Sequence, residues 1–319
     1  MLTPKRPRRA LIVGASGQDG RIMSGLLLSK NFEVFGVTKK SSESGHVENG
    51  VTEIKSDLSN PELFSELMKA VRPDFILHLA AVHSNSREMQ TLESTHSNEM
   101  FRCHVEITKN VLEWQRINLC SSLIALTSLI FTPKFPREEI LLTNSYQPQN
   151  EYGRTKLEAL ELIRYYRQKF GIKTAGLVLF NHSSEFTKPK FLIPTIASKI
   201  WKASKTYQIT RILHSQQLVD MSNSHNFCRG FLKMIESDVF EDLIFSSGEM
   251  RTIESLYVEA ISRIEPRLRS RFEFDDLGMG IPSMFGNIEK TRSLLEWDGG
   301  GDPVQIIEKI FNTKEKQTI

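Results

Sequence analysis

Tyr152 and Lys156 lie four residues apart in Glu151–Phe170, a stretch that reads as one long helix, so both side chains leave the same face. A free tyrosine titrates near about 10 and exchanges protons poorly at neutral pH. A neighbouring ammonium favours the phenolate and lowers that value. Upstream, Thr127 and Ser128 follow the apolar run Leu123–Leu126. A hydroxyl there can donate to a substrate oxygen while Tyr152 exchanges its proton, with Thr127 the closer participant and Ser128 in reserve. Lys156 can also donate to a ribose. These four residues suit proton exchange at an oxygen, which needs a partner that moves electrons.

The N-terminal segment offers a place for that partner. Gly14-Ala15-Ser16-Gly17-Gln18-Asp19-Gly20 follows the apolar run Ala10–Val13 and leads into a helical pattern with Ile22, Met23, Leu26 and Leu27 on its inner side. Glycines at this spacing suit a tight turn, the approach of a pyrophosphate and a close helix–strand contact, while helix-start amides meet the phosphate charge. Gly14, Gly17, Gln18, Asp19 and Gly20 are therefore expected to hold a dinucleotide. The second strand, Glu33–Val37, leads to Thr38-Lys39-Lys40-Ser41-Ser42 and carries no acid at its end. Lys39 and Lys40 suit a 2′-phosphate better than a bare ribose diol, so NADP(H) is the expected cofactor and NAD(H) the alternative. Asp57 and Leu58 are expected at the adenine end. Leu79, Ala80 and Ala81 are expected beneath the cofactor.

The elements that must position these residues alternate. Strands are expected at 10–13, 33–37, 52–55, 75–79, 123–126 and 173–179, with helices from Arg21, over Pro61–Val71, over His104–Arg116 and from Glu151 to Phe170. This order gives an α/β fold, a Rossmann-like doubly wound and mostly parallel sheet. Beyond residue 183 the alternation loosens: 192–207 and 226–236 read as helices, 208–213 as extended and 275–287 as a loop. The expected division is a cofactor-binding domain over 1–182 and a smaller substrate-binding region over 183–319, some of which returns to the main sheet.

The 319 residues carry 39% hydrophobic and 25% charged side chains and a net charge of +3, which excludes a disordered chain or a basic nucleic-acid binder. Cys103, Cys120 and Cys228 have no paired spacing and fit free thiols in a reducing compartment. No histidine or cysteine spacing points to a metal, and no apolar run is long enough for a membrane span, so a cytoplasmic enzyme with no metal and no membrane partner is expected. The basic start Pro4-Lys5-Arg6-Pro7-Arg8-Arg9 reads as a solvated flank of the first strand.

The chain resembles the extended short-chain dehydrogenase/reductase (NAD-dependent epimerase/dehydratase) family, and within it the GDP-mannose 4,6-dehydratases and related nucleotide-sugar enzymes. The likeness runs from the glycine loop through Lys39-Lys40-Ser41-Ser42, Leu79-Ala80-Ala81, Ala125-Leu126-Thr127-Ser128 and Tyr152-Gly153-Arg154-Thr155-Lys156 to Leu179-Phe180-Asn181-His182. It thins afterwards, returning around Gly286-Asn287, Lys290 and Leu295-Glu296-Trp297. It implies a nucleotide-diphosphate sugar as substrate and a homodimer. Asn181 and His182 are implied as substrate contacts, with Lys188, Lys190, Arg211 and Arg251 as candidate sources of positive charge for the diphosphate.

Several positions depart from the pattern. Leu129 stands where the dehydratases place the glutamate that removes a proton beside the transient ketone, and a hydrocarbon cannot accept a proton. His104 replaces an asparagine and Phe131 a tyrosine. Val219 and His225 replace two arginines expected near the diphosphate. The expected reaction is NADPH-dependent reduction of a nucleotide-linked keto-deoxy-sugar, which needs no base at 129. The alternatives are a divergent nucleotide-sugar 4,6-dehydratase, an epimerase, and a non-catalytic cofactor-binding partner.

Overall fold

The structure, a computed structural model, describes residues 6–38, 47–82 and 94–318. Lys39 and Lys40, and Ser41 and Ser42 beside them, lie outside the described residues. Seven strands form one parallel sheet: β1 (Arg9–Val13), β2 (Glu33–Thr38), β3 (Thr52–Lys55), β4 (Phe75–His78), β5 (Ser121–Ala125), β6 (Thr174–Leu179) and β7 (Leu243–Phe245). Their order is β7-β6-β5-β4-β1-β2-β3, so the chain reverses its direction of travel across the sheet between β1 and β4. The register there pairs Val13 with both Val37 and His78, which brings the exits of three strands side by side. In open parallel sheets ligands bind at such a reversal, beyond the strand carboxyl ends.

Local sequence explains the helices that flank this sheet. α1 (Gln18–Ser29) starts at Gly17, whose side chain can cap nothing. α2 (Pro61–Val71) has the Asn60 side chain accepting from the amides of Glu62 and Leu63, with Pro61 at its first position. Its buried Phe64, Met68 and Val71 join Leu11, Val13, Val37, Leu58 and Ile76 in the core on one face of the sheet. The expected helix at His104 is longer: α3 (Ser94–Phe101) runs through a π-helical turn, Arg102–Glu106, into α4 (Ile107–Ile117). α5 (Glu151–Phe170) begins where the Asn150 side chain accepts from the Gly153 amide at 2.8 Å and ends at Gly171 in the left-handed region.

The chain separates into two compact units that interleave in sequence: residues 1–132, 142–179 and 228–243, and residues 133–141, 180–227 and 244–319. The junction nearest residue 182 falls between 179 and 180, and residues 228–243 return to the first unit. That return is anchored by Asp242, whose carboxylate accepts from Arg164 Nε at 2.8 Å, Arg167 at 2.8 and 2.9 Å, and the Gly176 amide at 2.9 Å.

In the second unit, α6 (Leu192–Lys205), α7 (Ile253–Ile264) and α8 (Val304–Thr318) share a core that includes Ile196, Ile200, Tyr257, Ile261 and Ile307. The expected extended segment narrows to Thr210–Ile212, paired with Phe272–Phe274. The expected loop over 275–287 contains a short strand, Met284–Gly286, paired with Glu138–Ile140.

Candidate active site

The glycine loop is shaped by contacts that exclude side chains. Gly14 has φ +90, and a Cβ there would lie 2.7 Å from the Ala80 amide nitrogen. A Cβ on Gly20 would lie 2.2 Å from the Gly14 carbonyl oxygen. The loop therefore rests on the Leu79-Ala80 backbone, and Leu79 itself donates its amide to Val13 at 2.9 Å. Gly17 at the N-cap makes no side-chain cap bond to the first amides of α1, around Gln18, Asp19 and Gly20. Such a cradle fits a dinucleotide pyrophosphate.

At the adjacent strand exit, Thr127 caps a short 3-10 turn, Ser128–Ile130, and accepts from the Leu129 amide at 3.3 Å. The Thr127 side chain also hydrogen-bonds the Tyr152 phenol. Ser128 is buried, and its carbonyl accepts from Phe131 at 3.0 Å. The structure thus joins Thr127 to the phenol.

Lys156 is 1% exposed and donates to the Ala125 carbonyl at 2.7 Å, which ties the helix to the end of β5. Burial pushes its ammonium down to about 8. Tyr152 titrates above its ordinary value, not below it as the neighbouring ammonium predicts. Burial of the phenol is the main cause, reinforced by Cys103 and the Asp19 carboxylate and opposed by the Thr127 hydrogen bond. An ammonium aimed at the Ala125 carbonyl leaves desolvation to dominate.

Two histidines complete the surroundings. His104 is buried, packs edge-on against Tyr152 with ring centroids 5.2 Å apart, and reaches both Thr155 and the Val82 amide. His78 has no motif to mark it; the only sequence signal is a histidine inside the otherwise apolar Phe75–Leu79. It donates from Nε2 to the Cys103 carbonyl at 2.9 Å. Burial first, and the Lys156 ammonium second, push it down to about 3, against the Cys103 hydrogen bond.

The remaining expected cofactor contacts divide. Asp57 follows β3 and accepts from the Ser59 amide and hydroxyl at 3.1 and 2.7 Å and from Arg102 at 2.6 Å. Leu58 is 2% exposed and packs within the core. Leu79, Ala80 and Ala81 are half-buried on the exit of β4.

The expected substrate residues belong to the second unit. Asn181 is exposed and its carbonyl accepts from Ser222 at 2.9 Å. His182 donates from Nδ1 to the Phe180 carbonyl at 2.7 Å and lies against Phe227. Lys188 and Lys190 are exposed, the latter over the Phe191 ring. Arg211 faces Glu273 at 3.9 Å and Arg251 pairs with Glu259, so each cation already meets a carboxylate. His225 bonds Glu185 at 2.9 Å, and Lys309 reaches the same carboxylate at 2.7 Å. Burial raises the Glu185 carboxyl, but these two donors outweigh it and hold it at about 2. Among the described residues no helix is long and apolar enough to cross a membrane.

Several known proteins with similar sequences are named GDP-mannose 4,6-dehydratases. The chain is 22% identical over 275 residues to a GDP-mannose 4,6-dehydratase of Sordaria araneosa, covering 82% of this chain but 48% of that protein. It is 23% identical to a GDP-mannose 4,6-dehydratase of Vibrio cholerae, over 98% of this chain and 86% of that one. The fold also matches UDP-glucose 4-epimerase of Thermotoga maritima, solved with UDP-glucose, at a TM-score of 0.81 and 14% identity, covering 98% of this chain and all of that one. The family model described as the NAD dependent epimerase/dehydratase family matches residues 10–243, a span that holds the glycine loop, Thr127, Tyr152 and Lys156. A match over that much of the chain settles its kinship: this protein belongs to the NAD-dependent epimerase/dehydratase family of enzymes.

Proposed function

We propose that the chain is an NADPH-dependent reductase of a nucleotide-linked keto-deoxy-sugar. Gly14, Gly17, Gln18, Asp19 and Gly20 hold the pyrophosphate, Lys39 and Lys40 take the 2′-phosphate, and Asp57, Leu58, Leu79, Ala80 and Ala81 line the remainder. Lys156 donates to the ribose. When bound, the dinucleotide supplies the hydride. Tyr152 gives its proton to the substrate carbonyl oxygen, and a phenol whose burial favours the protonated form is suited to that direction of transfer. Thr127 steadies the phenol and polarises the carbonyl, with Ser128 beside it. Asn181, His182, Lys190, Arg211 and Arg251 bind the nucleotide sugar, the arginines by exchanging their carboxylate partners for phosphate.

The observation that carries this reading is the Thr127–Tyr152 hydrogen bond with Leu129 two residues beyond Thr127. The proton-exchanging groups are joined, while position 129 offers no carboxylate to remove a proton from carbon. A cytoplasmic homodimer belongs to the same proposal. Incubation of the purified protein with NADPH and a panel of nucleotide keto-deoxy-sugars is expected to consume one NADPH per product, with a product two mass units heavier than the substrate.

The second reading is a 4,6-dehydratase, favoured by the names of the two relatives by sequence. Loss of water from a nucleotide hexose without net cofactor consumption would establish it and overturn the reductase. A 4-epimer of unchanged mass would establish an epimerase.

A further inference from the structure

We infer that His104 is a positioning residue that sets the floor of the dinucleotide site and the catalytic phenol in one register. The inference rests on the reading of this chain as a dinucleotide enzyme, and it concerns a side chain outside the proton-transfer set.

Its two ring nitrogens have different partners, and these fix its tautomer. The Val82 amide donates to Nε2 at 3.2 Å, so that nitrogen carries no proton. The neutral ring then bears its proton on Nδ1, which donates to Thr155 Oγ1 at 2.8 Å. The Thr155 hydroxyl lies within reach of the carbonyls of Glu151 and Tyr152 at 3.1 and 3.2 Å, in the first turn of α5. The imidazole edge meets the Tyr152 ring at an interplanar angle of 84°.

The opposite side of the linkage is the exit of β4. His78 donates to the Cys103 carbonyl while Val82 donates to the neighbouring His104, so Leu79-Ala80-Ala81 is held at both ends by one π-helical turn. Gly14 presses on the middle of that segment. A displacement of His104 therefore moves two things together: the backbone beneath the glycine loop and the ring that exchanges the proton. π-helical turns are frequent at functional sites, and this one sets Cys103 and His104 as successive anchors.

The test uses the full chain as wild type, H104F and H104Q. Phenylalanine keeps a ring against Tyr152 but accepts nothing from Val82; glutamine supplies an acceptor and a donor on a flexible stem. NADPH and NADH binding is measured by titration calorimetry, melting temperature is measured alongside, and His104 is observed by NMR of 15N-histidine-labelled protein. H104F is expected to bind dinucleotide about tenfold more weakly, the scale of one lost buried hydrogen bond. H104Q is expected to recover affinity to within about threefold of wild type. The wild-type spectrum is expected to show a protonated Nδ1 and a bare Nε2. Equal binding by wild type and H104F, or H104Q as weak as H104F, would overturn the inference. So would a protonated Nε2, whatever the folding of the variants. Failure of wild type to bind either dinucleotide would instead sink the cofactor reading, with the tautomer still deciding whether the linkage exists.

Discussion

Gly153 lies flat against the Leu129 carbonyl: a Cβ built on it would stand 2.3 Å from that oxygen and 3.0 Å from the Pro148 Cβ. The glycine beside Tyr152 is thus the contact plate through which α5 seats on the Thr127–Leu129 turn. G153A must displace backbone, which costs about 1–3 kcal/mol of stability by the usual scale of overpacking. Turnover is expected to fall at least about tenfold, because a 1 Å misplacement of reacting groups has effects of that size or larger. Melting temperature and turnover measured together check this, and an unchanged G153A would show that the turn yields freely.

The Thr127–Tyr152 bond gives a second expectation. Y152F should lower turnover by about 10²–10⁴, the usual contribution of a general acid, while leaving dinucleotide affinity near that of wild type. T127V should lower turnover with a smaller effect, and T127S should retain most of it because the hydroxyl survives. Steady-state kinetics beside cofactor titration separates these roles. Equal losses in T127S and T127V would mean that the threonine methyl, not the hydroxyl, matters.

His78 should destabilise the fold in acid. Its folded value, down to about 3, lies below the ordinary value of 6.5, so the unfolded chain binds the proton first. The stability it contributes is present above pH 6.5 and is lost as pH falls from there towards 3. Relative to H78Q, the wild type is expected to lose about 2 kcal/mol of unfolding free energy between pH 6.5 and 5, at about 1.4 kcal/mol per unit. Urea titrations of both proteins at the two pH values test the difference; parallel losses would place the acid sensitivity elsewhere.

Lys156 acts in alkali with the same sign, stability again rising with pH. Its folded value of about 8 lies below the ordinary 10.5, so the buried ammonium costs stability most fully below pH 8. Between about 8 and 10.5 the unfolded chain holds more protons, and stability rises with pH. Against K156M, the wild type should gain about 2 kcal/mol between pH 8 and 9.5. That interval stops short of the range in which the raised Tyr152 value begins to oppose it. A flat difference curve would mean the ammonium is better solvated than its 1% exposure indicates.

Much of this site was legible because its chemistry is local in sequence. Glycine spacing, a Tyr-x-x-x-Lys helix and a strand followed by Thr127-Ser128 each declare themselves within a few residues. The strands of the first unit were legible for a similar reason: β3 and α5 have the expected bounds because Pro61, Asn150 and Gly171 punctuate the chain near them. What sequence could not give were relations between distant segments. The Tyr152 titration reverses the expected direction because burial, a property of the whole packed unit, outweighs a neighbour at helical spacing. Leu58 looked like a cofactor contact from its place after β3, yet its side chain points into the core. His104 was visible as a departure, but its link to Val82 depends on a π-helical turn with no marker in composition. Arg211 and Arg251 read as available cations because Glu273 and Glu259 meet them only in the fold.

The Asp242 anchor bears on how the molecule is made. Arg164 and Arg167 leave the ribosome well before the carboxylate that binds them, and all of residues 180–227, which belong to the other unit, are synthesised in between. The nascent first unit must therefore wait for that carboxylate while residues 180–227 emerge. Release of a chain truncated at residue 182 would strand it at that stage. The order of translation, and not the stability of the finished sheet alone, decides when Asp242 closes onto Arg164, Arg167 and Gly176.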